Sequence, residues 1–258
     1  AELHPRACRI RLYYRSAEPG GDQIEAFPGL AEDLRHGRTD AMLLFCMIQR
    51  RPWEQLIQKG VPVCMSATVL DPVCGLRIEQ EAMVVNAVRR LAATGVRRPM
   101  LVSALEVARR PDMAAAFDIA ARQAGLPVTE IVHAGSAGRN VLADLAERPP
   151  SRWPDGLVCI DDDQVALQIA SFLAHRGGHT PPMAVLASRQ APLAFPFPVL
   201  KYELDLADIA RRAAGLVLDQ LQSGRCEPTV QPVEPRFNAD DNQPWEAPVA
   251  VPAALAEE

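Results

Sequence analysis

The chain has 258 residues, 48% of them apolar and 23% charged, with a net charge of −5. That length suits one large α/β domain or two lobes of ordinary size, and the acidic balance excludes a broad electrostatic footprint for nucleic acid. Aromatic residues make up 5%, so aliphatic side chains and alanine must build the core.

Short apolar runs alternate with longer helical patterns along the whole chain. In chain order, strands are expected at Arg9–Tyr14, Ala41–Phe45, Pro62–Met65, Gly75–Ile78, Pro99–Val102, Val128–Val132, Leu157–Ile160, Met183–Leu186 and Val199–Tyr202. Helices are expected at Leu30–His36, Trp53–Lys59, Gln80–Thr94, Pro111–Ala124, Arg139–Glu147, Gln164–Arg176 and Leu206–Ser223, with a last extended segment at Thr229–Phe237. This alternation, with aliphatic strands, predicts parallel sheets covered by helices. Gly95, Gly125, Gly177 and Gly224 follow helical patterns, where a left-handed C-cap suits glycine. The first strand is preceded only by AELHPRAC, which reads as a helix end, so the opening strand–helix unit is expected to be missing. Residues 239–258 show no trusted period and are expected to form a weakly ordered tail.

Several classes are set aside on the same grounds. No apolar run is long enough to span a membrane, and AELHPRACRI has no apolar signal-peptide region. The six cysteines, Cys8, Cys46, Cys64, Cys74, Cys159 and Cys226, contain no C-x-x-C pair and no clustered histidine, so no metal site and no cofactor is expected. Four of them sit in apolar runs and are expected to be reduced core thiols of a cytoplasmic protein. There is no G-x-S-x-G, no phosphate-binding Walker loop and no G-x-G-x-x-G; the expectation is a protein that is not an enzyme, with no catalytic residues.

The stretch LVCIDDDQVALQIA, residues 157–170, concentrates the chemistry. Asp161 and Asp163 after a strand fit the opening of a haloacid-dehalogenase-like phosphotransferase. That chemistry also needs a lysine and a later acidic pair, and downstream there are only Lys201 and the tail pair Asp240-Asp241. Three consecutive carboxylates cannot all turn to one metal. Two compatible roles remain: Asp162 or Asp163 caps the helix beginning near Gln164, and Asp161 and Asp162 face a ligand beyond the carboxyl end of a parallel strand.

Asp162-Asp163-Gln164-Val165-Ala166 resembles the N-D-Q-M-A segment of LacI/GalR-type transcriptional regulators. Val61–Met65 resembles their "IPVV" strand, Glu79 through Leu101 their "D-N-x-x-G…HL…LGHRRIAL" run, and Phe117 through Pro127 their "GF…AL…AGLP" run; Leu206–Gly224 and Val230–Phe237 resemble the last helix and the closing strand. The resemblance covers roughly Ala7 to Asn238. It implies a two-lobed, periplasmic-binding-protein-like sensor crossed three times by the chain, with a small effector in the interlobe cleft. The implied lobes are 1–78 plus 205–224, and 79–203 plus 227–238. It also implies a helix-turn-helix in front of this chain, so DNA is a partner only through that missing domain. The runner-up is an extracytoplasmic solute-binding protein of the same fold.

The implied effector contacts are altered here. The aspartate after "IPVV" is Ala67, the arginine before "GF" is Met113, a stacking aromatic falls near Ala137, the asparagine of N-D-Q is Asp162, and a late aspartate falls at Ser188. Ser66, Arg110 and Asp112 stand beside lost positions as substitutes. The expected ligand set is therefore Asp162, Ser66, Arg110, Asp112, Ser188 and Met113, for an effector other than an ordinary pyranose, unless the cleft has lost its ligand. The helix QVALQIASFLAHR is apolar around most of its circumference, where a helix lying on a sheet needs one stripe. With the loop Ala191–Phe195 it is expected to form a two-fold homodimer through Leu167, Ile169, Phe172, Leu193 and Phe195; the alternative is a helix fully buried within its own lobe.

Overall fold

A computed structural model describes residues 9–13, 27, 29–44, 56, 60–67, 74–103, 111–127, 130–133, 139–160, 163–177, 180–189, 195, 199–225 and 229–237. In chain order its elements are α1 (Leu30–Arg35), β1 (Met42–Leu44), β2 (Val63–Ala67), β3 (Cys74–Ile78), α2 (Gln80–Ala93), β4 (Pro99–Ser103), α3 (Pro111–Gln123), β5 (Glu130–His133), α4 (Arg139–Glu147), a 3-10 turn (Pro150–Arg152), β6 (Gly156–Cys159), α5 (Asp163–Gly177), β7 (Met183–Ser188), β8 (Leu200–Leu204), α6 (Leu206–Ser223), β9 (Val230–Val233) and β10 (Arg236–Phe237). The chain divides into two compact units, Ala1–Ile78 with Leu206–Val233, and Glu79–Asp205 with Glu234–Glu258. It therefore passes between the units three times.

The first unit is built on a parallel sheet of order β1-β2-β3-β9. Successive strand residues face opposite sides, and β2 shows the consequence. Val63 and Met65 join Phe27, Leu30, Met42, Leu44 and Leu56 in one buried cluster. Cys64, between them, faces the other way and is fully buried. On that side Cys74 of β3 lies in register with Cys64, and the Gln220 side chain of α6 reaches Cys74.

The second unit holds a six-stranded sheet of order β10-β8-β7-β6-β4-β5, parallel except for β10. Alternate residues feed two separate cores. Leu101, Val158, Ile160 and Ala184 pack with Val84, Val88, Leu91 of α2 and Phe117, Ala121 of α3. Met100, Val102, Leu157, Cys159, Met183 and Val185 pack with Val141, Leu145 of α4 and Ile169, Leu173 of α5. Both faces are thus covered by helices, which is why these strands read as unbroken apolar runs. Thr94 closes α2 with its hydroxyl donating to the Leu91 carbonyl at 2.7 Å, and Gly95 turns the chain away at φ 97°.

Four expectations are corrected. Arg9–Tyr13 is not a strand: Ile10 and Leu12 are exposed, while Arg11 and Tyr13 both hydrogen-bond the buried Asp33 of α1. The closing segment does not belong whole to the second lobe, because Val230–Val233 pairs with β3 in the first unit and only Arg236–Phe237 pairs with β8 in the second. Pro232 and Pro235 donate no backbone hydrogen bond and so suit an edge strand and a break. Gly177 is the last residue of α5 rather than a residue beyond it. The helix after the aspartates begins at Asp163, one residue earlier than expected. The helix expected at Trp53–Lys59 and the tail 239–258 lie outside the described residues, Leu56 excepted.

Candidate functional site

The second sheet reverses its strand order between β4 and β6. From β4 the chain runs through α3 to β5 on one side. It then returns through α4 to β6 on the other side and continues to β7 and β8. At such a switch point the loops leaving the two strands diverge, and a crevice opens beyond their carboxyl ends. In sequence, residues 104–110 follow β4 and Asp161–Asp162 follow Ile160; both segments lie outside the described residues.

The ends of β4 and β6 are tied together by hydrogen bonds. Ile160 donates its N–H to the Val102 carbonyl at 3.3 Å. Its own carbonyl accepts from Gln80 Nε2 at 2.7 Å. Gln80 is buried, opens α2 and stands two residues past the first passage between the units. Ser103, the last residue of β4, is also buried. On the neighbouring strand Ser188 ends β7, and its buried Oγ has no hydrogen-bond partner among the described residues. Arg189 follows, its N–H donating to the Leu204 carbonyl at 3.0 Å and its guanidinium 3.5 Å from Glu203 and 3.4 Å from Asp205. Ser103, the buried Ser188 hydroxyl and Arg189 with Glu203 and Asp205 place polar groups at the carboxyl ends of β4, β7 and β8. Among the described residues no three His, Cys, Asp or Glu side chains gather as a metal centre would require.

The expected ligand residues distribute unevenly. Asp162 and Arg110 lie outside the described residues. Asp112 is exposed at the second position of α3. Ser66 is in the first unit, near the carboxyl end of β2. Met113 is corrected: it is buried in the α2–α3 core and has no surface to offer a ligand. Gln80 was not singled out by sequence reasoning. Its only signal there is a polar residue at the start of an otherwise apolar-striped helix.

Of the expected dimer residues, Ile169 is corrected, being fully buried against its own sheet. Leu167, Phe172 and Phe195 are half-buried; Phe172 meets the Trp153 ring at 5.8 Å between centroids. Leu193 lies outside the described residues.

A profile of the periplasmic binding protein-like domain matches residues 88–238. The chain belongs to that family. No curated protein matches the sequence. Among solved structures the fold is similar to the Cra transcriptional dual regulator of Pseudomonas putida in complex with fructose 1-phosphate, at TM-score 0.65 and 22% identity, covering 84% of this chain and 83% of that one. It is also similar to a LacI transcriptional regulator from a Rhodococcus species, at TM-score 0.66 and 21% identity over 81% and 79% of the two chains. A third similar structure is a LacI family regulator of Enterococcus faecium with bound ribose, at TM-score 0.62 and 13% identity over 80% of each chain. At these identities the likeness is one of fold, and it joins this periplasmic binding protein-like chain to the architecture its sequence predicts.

Proposed function

We propose that this chain is the effector-sensing and dimerisation region of a LacI-type transcriptional regulator, binding a small polar ligand with Asp162 and passing the signal to a DNA-binding domain outside this sequence. The observation that carries the reading is the switch point of the second sheet, where an aspartate run follows directly on a strand end anchored by two buried hydrogen bonds. Three passages between two parallel-sheet units supply the mechanical means, since a ligand that prefers one arrangement of the units shifts their population toward it. The site calls for no catalysis: its groups recognise and orient.

The effector differs from an ordinary pyranose. The position that would carry a sugar-binding arginine is Met113, locked in the core, and Ala67 replaces an aspartate. Fewer fixed charges recognise a smaller or less polar molecule. Fructose 1-phosphate and ribose, the ligands of two similar structures, belong in a test panel. The buried free thiols Cys64 and Cys74 favour a reducing, cytoplasmic setting over the extracytoplasmic solute-binding alternative. The homodimer forms through the outward flank of α5 and the loop carrying Phe195, with Leu167 and Phe172 contributing their uncovered edges.

The test is a thermal-shift panel of sugars, sugar phosphates, nucleosides and organic acids. Binding at about a hundred times Kd stabilises by roughly 2.7 kcal/mol, a shift of several degrees for a chain of this size. The expected result is saturable stabilisation by at least one compound, weakened in Asp162→Ala. A complete absence of response would leave the dimer-only role as the reading of this fold.

A further inference from the structure

The second unit uses its buried polar groups to hold the switch point. The first unit buries a different kind of group with no part in that arrangement. Cys64 of β2 and Cys74 of β3 are in-register partners on adjacent parallel strands. In-register partners face the same side of a sheet, and neighbouring strands lie about 4.7–4.9 Å apart. Cysteines joined by a disulfide have Cα atoms about 4.4–6.8 Å apart. The two backbones already stand at bridging separation, and both thiols are buried and free.

We propose that Cys64 and Cys74 are a reversible dithiol–disulfide pair, closed by a hydroperoxide and reopened by a small dithiol. The reading is independent of the effector site. The surroundings divide the labour between the two sulfurs. Contact with the Cys64 side chain lowers the Cys74 pKa, and a backbone hydrogen bond from Thr229 and the Gln220 side chain lower it further, against the opposing effect of burial; the Cys64 thiol itself donates to the Met65 carbonyl at 3.9 Å. The same contact, with burial, raises Cys64. Cys74 carries the contacts that favour a thiolate, and the thiolate is the nucleophile. Its sulfur attacks one oxygen of the hydroperoxide: an S–O bond forms, the O–O bond breaks, and the second oxygen leaves as hydroxide or alkoxide. Cys64 then attacks the Cys74 sulfenic sulfur: the S–S bond forms, the S–O bond breaks, and the departing hydroxide takes the Cys64 proton as water. Two thiols lose two electrons, and the O–O bond gains them. Burial limits the oxidant to a small one. The bridge ties β2 to β3, the strand that ends at the first passage between the units.

The sequence makes the test direct. No lysine or arginine occurs between Lys59 and Arg77, so both cysteines fall in the single tryptic peptide Gly60–Arg77. The reduced chain is treated with hydrogen peroxide, blocked with iodoacetamide, digested without reductant and weighed. The expected product is this peptide carrying no alkyl group and lacking two hydrogens, with its two alkylatable thiols restored when dithiothreitol precedes blocking. In Cys64→Ser, dimedone is expected to trap Cys74 as a sulfenic acid that the wild-type chain does not accumulate. A peptide that keeps two alkylated thiols after peroxide, or that is found joined to Cys159 or another cysteine, overturns the proposal. The wild-type mapping decides the matter even if the serine variant does not fold.

Discussion

The two sheets bury their second faces with different chemistry. In the six-stranded sheet, both faces are covered by aliphatic cores under helix pairs, α2 with α3 and α4 with α5. Buried polar groups are held back to the strand ends, where Gln80, Ser103 and Ser188 surround the switch point. In the four-stranded sheet, one face is aliphatic and the other carries a thiol pair beside Gln220. Polar atoms at strand ends can meet a ligand, whereas polar atoms in mid-sheet can meet only each other. The first pattern suits the proposed effector site, the second an internal contact.

The comparison can be broken at its strongest point first. Phe117 is fully buried where α2 and α3 meet the sheet, and Phe117→Ala is expected to cost about 3–5 kcal/mol, read as a fall in the urea midpoint. A loss under about 1 kcal/mol would mean that this face is not the close-packed core described. Next is Gln80→Leu, which keeps bulk but removes the donor from the Ile160 carbonyl. Leaving that buried acceptor unpaired costs about 1–3 kcal/mol. Hydrogen exchange at the amides following Ile160 is expected to quicken more than exchange in β8.

Smaller effects test β10, the antiparallel strand of the second sheet. The Tyr202 hydroxyl meets Asn86 Oδ1 at 2.7 Å, its ring packs on Phe237, and burial raises its pKa above the ordinary 10.0. In the unfolded chain the tyrosine ionises near pH 10, whereas in the folded chain it stays neutral. Its contribution is therefore complete below pH 10 and is lost as the pH rises toward the folded value. Stability of the wild-type chain should fall more steeply above pH 10 than that of Tyr202→Phe, which itself costs about 1 kcal/mol at neutral pH. Smallest is Arg90→Met. Its guanidinium lies 3.7 Å from the Phe237 ring centroid, and the loss should be about 0.5–1 kcal/mol, measured by the same urea titration.

Much of this arrangement was legible in the sequence, for identifiable reasons. Helices α4 and α6 have the bounds their apolar period and flanking signals predict. The parallel sheets follow from aliphatic strands alternating with helices. The failures share a cause: a partner distant in sequence. Gln80 bonds a carbonyl eighty residues away, and its one local signal, a polar residue opening an apolar-striped helix, does not name that partner. Arg9–Tyr13 alternates like a strand, yet its polar residues are the ones tied down, to Asp33. Met113 stands at a position the resemblance gives to a ligand contact, but the packing of α3 on α2 takes it into the core. The apolar girth of α5 was read as cover by a second subunit. Part of that cover comes from the chain's own Trp153, which lies against Phe172. The thiol pair was invisible because register between strands is a property of the folded sheet.

The central claim is that the switch point of the second sheet holds the effector. The most direct measurement is hydrogen exchange across the whole chain, with and without the most stabilising compound from the thermal panel. The account predicts protection concentrated in residues 104–110 and 161–163. Protection confined to other segments, or no compound that protects the chain at all, would contradict it.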